Sequence, residues 1–232
     1  MWRQCRAHGW VGPEATAHRL RGEVAAMRTL LEFGHVRLNP LDSYGDTPLS
    51  LAASGGHLGA VEFLLGLDEI QINPLEPGRV SPFWRAVAGG HEAVVRLLLS
   101  LPSLQTNRCH SRWAEWPCAS PLHAAAGVGH VETVRVILAS KNADVNFCLQ
   151  NHPCDTPLHV AIVMGSEEAV RVLLEDGRAD VDRPNKQRIT ALEVAVEVGH
   201  KGIVRMLRLR NGRRVGVNTR GGLGDSERQT PG

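Results

Sequence analysis

Ser120-Pro121-Leu122-His123-Ala124-Ala125, followed by Gly129-His130, Val134, Ile137-Leu138 and Ala143-Asp144-Val145-Asn146, is a block that recurs along the chain. Two earlier copies run Thr47-Pro48-Leu49, Gly56-His57, Val61, Leu64-Leu65 and Ser81-Pro82-Phe83, Gly90-His91, Val95, Leu98-Leu99. Two later ones run Thr156-Pro157-Leu158, Gly165-Ser166, Val170, Leu173-Leu174 and Thr190-Ala191-Leu192, Gly199-His200, Val204, Leu207-Arg208. The equivalent positions Pro48, Pro82, Pro121, Pro157 and Ala191 lie 34, 39, 36 and 34 residues apart, a period that belongs to stacked repeat arrays rather than closed globules.

Each block spells a helix pair. Proline suits the first turn of a helix because its φ is already fixed and the missing N–H would have no partner there, and the preceding Thr or Ser is an N-cap. The glycine some eight residues on closes that helix by accepting a left-handed backbone, and the following Val, Leu and Leu fall on one face of a second helix. Neither helix is long enough to stand alone in water, so each pair buries its stripe against the next. Small residues on the first helix, Ala52-Ala53, Ala86, Ala124-Ala125, Ala161 and Ala195, permit close stacking. The exits Asn39, Asn73, Asn107, Asn146 and Asp182 lead into a hairpin that reaches the next pair.

These blocks resemble the ankyrin repeat, whose Thr-Pro-Leu-His, Gly-His, Leu-Leu and Ala-Asp-Val-Asn elements recur here over roughly residues 15–208. The resemblance implies an all-α solenoid of helix-turn-helix pairs with β-hairpin loops. Repeats fall near 15–41, 42–75, 76–109, 115–148, 151–184 and 185–208, with an inserted loop near 108–116. The first is a degenerate half-repeat that keeps Val24, Met27, Leu30 and Leu31 but lacks the Thr-Pro-Leu opening. Residues 1–14 form an N-terminal segment. At the far end Arg208 stands in the slot of Leu65, Leu99, Leu138 and Leu174, which marks the end of the array. Residues 209–232, rich in Gly and Arg, are expected to be a disordered basic tail, with a weaker reading as a localisation signal around Arg208, Arg210, Arg213 and Arg214.

A formal net charge of +2 and 4% aromatic content point away from a strongly polyanionic partner, so nucleic acid is not the expected ligand. No apolar run reaches the length of a membrane span and the start has no signal-peptide core, which predicts an intracellular protein. Five cysteines, an odd number without framework spacing, are expected to be reduced thiols.

Function is sought where the period breaks. Two loops are longer than the rest: one carries Arg108, Cys109, His110, Arg112, Trp113, Glu115 and Trp116, the other Phe147, Cys148, Asn151, His152, Cys154 and Asp155. Trp113 and Trp116 either fold back over the inner helices or stand out as anchors, since Trp and Arg are enriched at interface hot spots. The ankyrin resemblance implies a protein partner on a concave face of hairpin tips and inner helices. Matching slots place Tyr44, Asp46, Arg85, Trp113, Trp116, His152, Asp155, Lys186 and Gln187 there. The mechanism implied is rigid presentation by a monomer without cofactor. An alternative is a small-molecule or catalytic pocket between the long loops and the inner helices, with His110, Glu115, His152 and Asp155 as acid–base groups.

Most histidines have repeat roles. His57, His91, His130 and His200 follow the helix-ending glycine, and His123 and His159 follow Pro-Leu, so hydrogen bonding between turns and repeats explains them. Cys109-His110 with Cys118, and Cys148 with His152 and Cys154, lack the paired spacing of a zinc site. Cys118 and Cys154 fall one repeat apart, beyond disulfide reach, and are expected to be free. Trp84, in the slot of His123, is expected in the core, whereas Glu193 and Ser166 replace histidines. No nucleophile elbow, zincin, phosphate-loop or dinucleotide motif is present.

Overall fold

The computed structural model describes residues 37–42, 45–73, 80–107, 119–140, 142–148, 155–185 and 187–218, with 211–218 described by backbone alone. Among them are ten helices: α1 (Pro48–Ser54), α2 (Leu58–Leu65), α3 (Pro82–Ala88), α4 (Glu92–Leu99), α5 (Pro121–Val128), α6 (Val131–Ala139), α7 (Pro157–Val163), α8 (Glu167–Asp176), α9 (Ala191–Val198) and α10 (Lys201–Asn218). The first helices of the pairs, α1, α3, α5, α7 and α9, stack in one inner row, and α2, α4, α6, α8 and α10 stack in an outer row. The fold is the all-α solenoid that the period predicts.

Local chemistry starts and stops these helices as the sequence demands. Thr47 Oγ1 accepts from Ser50 N at 3.1 Å, Ser81 Oγ accepts from Trp84 N at 3.0 Å, and Pro48 and Pro82 open the helices they cap. Gly56, Gly90, Gly129, Gly165 and Gly199 all hold left-handed backbones, with φ between 68° and 84°. At Gly90 a side chain would also meet the neighbouring repeat, since a Cβ there would lie 2.7 Å from Nδ1 of His130. One core runs the length of the stack, from Leu49 and Val61 through Phe83, Val95, Ile137, Leu158 and Leu173 to Ile203 and Leu207.

Polar side chains then tie each pair to the next. The exit asparagines form a ladder: Asn39 Nδ2 donates to the Glu69 carbonyl at 2.8 Å while its Oδ1 accepts from Gln71 N at 2.9 Å. Asn73 bridges Ser103 and Gln105 in the same way, and Asn107 bridges Asn142 and Asp144. Asn146 closes the ladder onto Arg178 O at 2.9 Å and Asp180 N at 2.8 Å. Asn146→Ala removes both bonds at a solvent-exposed junction and is expected to cost about 1–2 kcal/mol. Urea unfolding should show a lower midpoint at unchanged slope.

Among the described residues two loop tips are tight turns built on an acidic or amide side chain. In the first, Asp42 N donates to Asp46 O and Asp42 Oδ1 accepts from Asp46 N; in the last, Asn185 N donates to Ile189 O and Asn185 Oδ1 accepts from Ile189 N. Gly45 and Arg188 take the left-handed position of each. One expectation is corrected: the array does not give way to an irregular tail at 209, because α10 runs on to Asn218. A helix whose first turns are already fixed by packing propagates at little cost per residue, which outweighs the poor propensity of Gly212 and Gly216. Arg210 lies within that extension and donates to the carbonyl of Leu174, capping the end of α8.

Candidate functional site

The histidines belong to the scaffold. His91 Nε2 donates to Ser54 O at 2.8 Å and His130 Nε2 to Ala88 O at 3.0 Å, so each reaches the last turn of the preceding inner helix. Ser166, in the corresponding slot, donates its hydroxyl to Gly127 O at 3.1 Å and keeps the bond. His123 Nδ1 accepts from Ser120 Oγ at 2.7 Å, and its Nε2 donates to Asp155 O in the next repeat at 3.0 Å. His159 repeats the bond to its own cap, with Nδ1 2.9 Å from Thr156 Oγ1, and the Ile189 carbonyl lies near its buried ring. Burial holds both imidazoles below the usual histidine range, His123 at about 4, although the carbonyls they face oppose the shift. Glu193, in the same slot of the last pair, forms a capping box in which its carboxylate accepts from Thr190 N at 2.7 Å. These bonds hold its carboxyl below the usual range. Trp84, also in this slot, is buried against Val80 and Ala124, as expected.

Of the residues assigned to a partner-facing surface, Asp46, Arg85, Asp155 and Gln187 are described. Tyr44, Trp113, Trp116, His152 and Lys186 lie outside the described residues, as do His110 and Glu115 of the acid–base set. Asp46 is buried and its carboxylate is held by the Arg85 guanidinium, with Nε at 3.1 Å from Oδ1 and the second pairing through Nη2. Asp155 is buried as well, and its Oδ1 accepts from Asn185 Nδ2 at 3.3 Å. Both acids immediately precede a cap Thr, a slot that holds Val80 and Ala119 in the intervening repeats and is buried there too. Loop position alone does not reveal this, because the residue before the cap turns its side chain under the tip. Asp46 therefore orients Arg85, which keeps part of its guanidinium at the surface on α3, and Gln187 is exposed at the last tip.

Cys148 is disulfide-bonded, which corrects the expectation of reduced thiols at that position. Compartment composition speaks to redox conditions, whereas distance decides which sulfurs can meet. Among the described residues no group of His, Cys, Asp and Glu is arranged to hold a metal ion, and no helix is long and apolar enough to cross a membrane.

One surface feature escaped the reading of motifs. The exposed side of the inner row carries Val128 at 48%, Val163 at 40%, Met164 at 51% and Val198 at 45% accessibility. Val128, Met164 and Val198 occupy the same register in three consecutive repeats, so stacking sets them in a row. Close approach of α5 and α7 makes the row continuous: a Cβ on Gly127 would lie 3.0 Å from Val160 Cγ1 and 3.7 Å from Met164 Cγ. The signal is present in sequence, since this register is Gly55 and Gly89 in the first two blocks and Val, Met, Val in the last three. The outer row contrasts with it, covered by ion pairs such as Arg96–Glu92 and Arg171–Glu168.

Residues 122–219 match a family model described as ankyrin repeats (3 copies), and residues 15–65 match one described as ankyrin repeats (many copies). The chain belongs to the ankyrin-repeat family. The second match includes the opening half-repeat at 15–41, and the first runs through the ankyrin helix α10 to its end. Ankyrin repeats generally mediate protein–protein interaction. Among curated proteins, none matches the chain.

Proposed function

We propose that the chain is a non-enzymatic scaffold that binds a protein partner across its inner-helix and hairpin-tip face. The observation that carries this reading is the row of Val128, Met164 and Val198, with the exposed Val163 next to Met164 in the chain. Exposed apolar side chains aligned over three repeats cost solubility and suit a docking surface. Stacked repeats held by inter-repeat hydrogen bonds lose little conformational entropy when a partner settles on them, so a few anchors dominate affinity. Trp113 and Trp116 of the inserted loop are the further anchors expected from sequence. The acid–base alternative draws no comparable support, because Asp155, its one described member, is engaged by Asn185 and by the scaffold.

The test is quantitative affinity capture with the full chain and variants of it. Val128→Asp combined with Met164→Asp is expected to weaken capture of the principal partner at least about tenfold while the helical circular dichroism is retained. Trp113→Ala with Trp116→Ala is expected to weaken it further, and Arg171→Ala on the outer row to leave it unchanged. Equal capture by the Val128 and Met164 variant would remove the inner face from the account.

A further inference from the structure

The last ankyrin pair presents an unfilled repeat interface. Val196 of α9 occupies the register of Ala53, Val87, Ala126 and Ile162, all of them completely buried against the following repeat, yet Val196 is 55% exposed. Val204 of α10 is likewise only partly buried, whereas its counterparts Val61, Val95, Val134 and Val170 are fully enclosed. Together with Gly199 and Leu209, 60% exposed, these residues floor an open groove of about 840 Å³. Among the described residues its rim consists of Lys201, Arg205 and Arg208, with no acidic residue in the lining. The whole of α10 carries Lys201, Arg205, Arg208, Arg210, Arg213 and Arg214 without one Asp or Glu.

We propose that this end face docks an acidic amphipathic helix of a partner protein, which takes the place that a further helix pair would hold. The apolar floor has the register of a surface that packs against helices everywhere else in the stack, so a helix with leucines on one face reproduces the missing contacts. The cationic rim selects acidic residues on that helix's flanks and repels competitors. A second copy meeting this face with its own would set the same cations against each other. Nucleic acid would satisfy the rim but leave Val196, Val204 and Leu209 uncovered, which is why a protein helix fits better. This surface is separate from the inner-row stripe and does not depend on it.

Fluorescence anisotropy on the intact chain tests the idea with three labelled probes. One is a peptide of about 18 residues, long enough to hold a helix, with Leu at i, i+3, i+4 and i+7 spacing and Glu elsewhere. The second carries Lys in place of Glu, and the third is a single-stranded oligonucleotide. The acidic peptide should bind and the basic one should not. Val196→Asp should weaken the acidic peptide at least about tenfold, and Arg205→Glu with Arg208→Glu should abolish its binding. Circular dichroism confirms folding, and Leu209→Asp gives the same reading at a more exposed position if Val196→Asp unfolds. Absence of binding by the acidic peptide overturns the proposal. So does binding unaffected by Val196→Asp, oligonucleotide binding stronger than that of the peptide, or self-association of the chain that Val196→Asp dissolves.

Discussion

Replacing Phe83 by alanine is expected to remove about 3–5 kcal/mol of stability and to split a single unfolding transition in two. Phe83 is completely buried on α3, in the register where Leu49, Leu122 and Leu158 sit in the adjoining pairs, and it is the largest fully buried side chain of the described core. Truncation leaves a cavity between inner helices, and the Asn39 and Asn73 bonds between repeats resist collapse of the stack into it. In a linear array each pair draws its stability from its neighbours, so a weakened junction at α3 uncouples α1 and α2 from the pairs that follow. Urea denaturation followed by circular dichroism should therefore show an early step of small amplitude ahead of the main one. Leu99→Ala, at a partly buried position on the outer row, serves as the comparison and should cost less. A single sharp transition displaced by under about 1 kcal/mol would mean that the inner row is not packed as described.

How far the sequence carries depends on whether a residue's role repeats. Residues that recur at the period are explained by the period. Thr47, Ser81 and Thr190 cap helices as their position implies, the positive-φ glycines close them, and His91, His123 and His130 spend their ring nitrogens on neighbouring repeats. Even the replacements follow, since Ser166 and Glu193 make bonds that substitute for an imidazole. Candidate site residues were legible only to the level of the loop that bears them. Asp46 and Asp155 lie at hairpin bases, but whether a side chain there turns outward or under the tip depends on hydrogen bonds formed across repeats, to Arg85 and Asn185. The exposed row of Val128, Met164 and Val198 was hidden for the opposite reason. Apolar residues near a helix end read as core unless the register is followed through every block. Composition misled at α10, where the Gly and Arg content suggests an irregular tail and packing of the first turns instead extends the helix.

Lowering the pH from 7 to 5 is expected to destabilise the array by about 2 kcal/mol through His123 alone. The ring is fully enclosed, with Phe147 edge-on at 6.1 Å between ring centroids, and burial holds its pKa at about 4 in the folded chain against 6.5 in the unfolded one. Between those values the unfolded chain binds a proton that the folded chain does not. Stability is therefore complete above pH 6.5, declines as the pH falls below it, and levels off near 4 after a total loss of about 3 kcal/mol. His159, lowered in the same direction by burial, adds to the slope despite the opposing pull of the Asp155 carboxylate. In the neutral form each Nδ1 accepts from the hydroxyl of its own cap, Ser120 or Thr156, a bond that a proton on Nδ1 would force to reverse, and His123 alone carries a further bond to the next repeat through Nε2. Urea midpoints measured at pH 7, 6 and 5, above most carboxylate titration, should fall progressively. His123→Gln should be less stable at pH 7 yet lose less between pH 7 and 5. An unchanged slope in that variant would show that the buried imidazole does not govern the acid sensitivity of the stack.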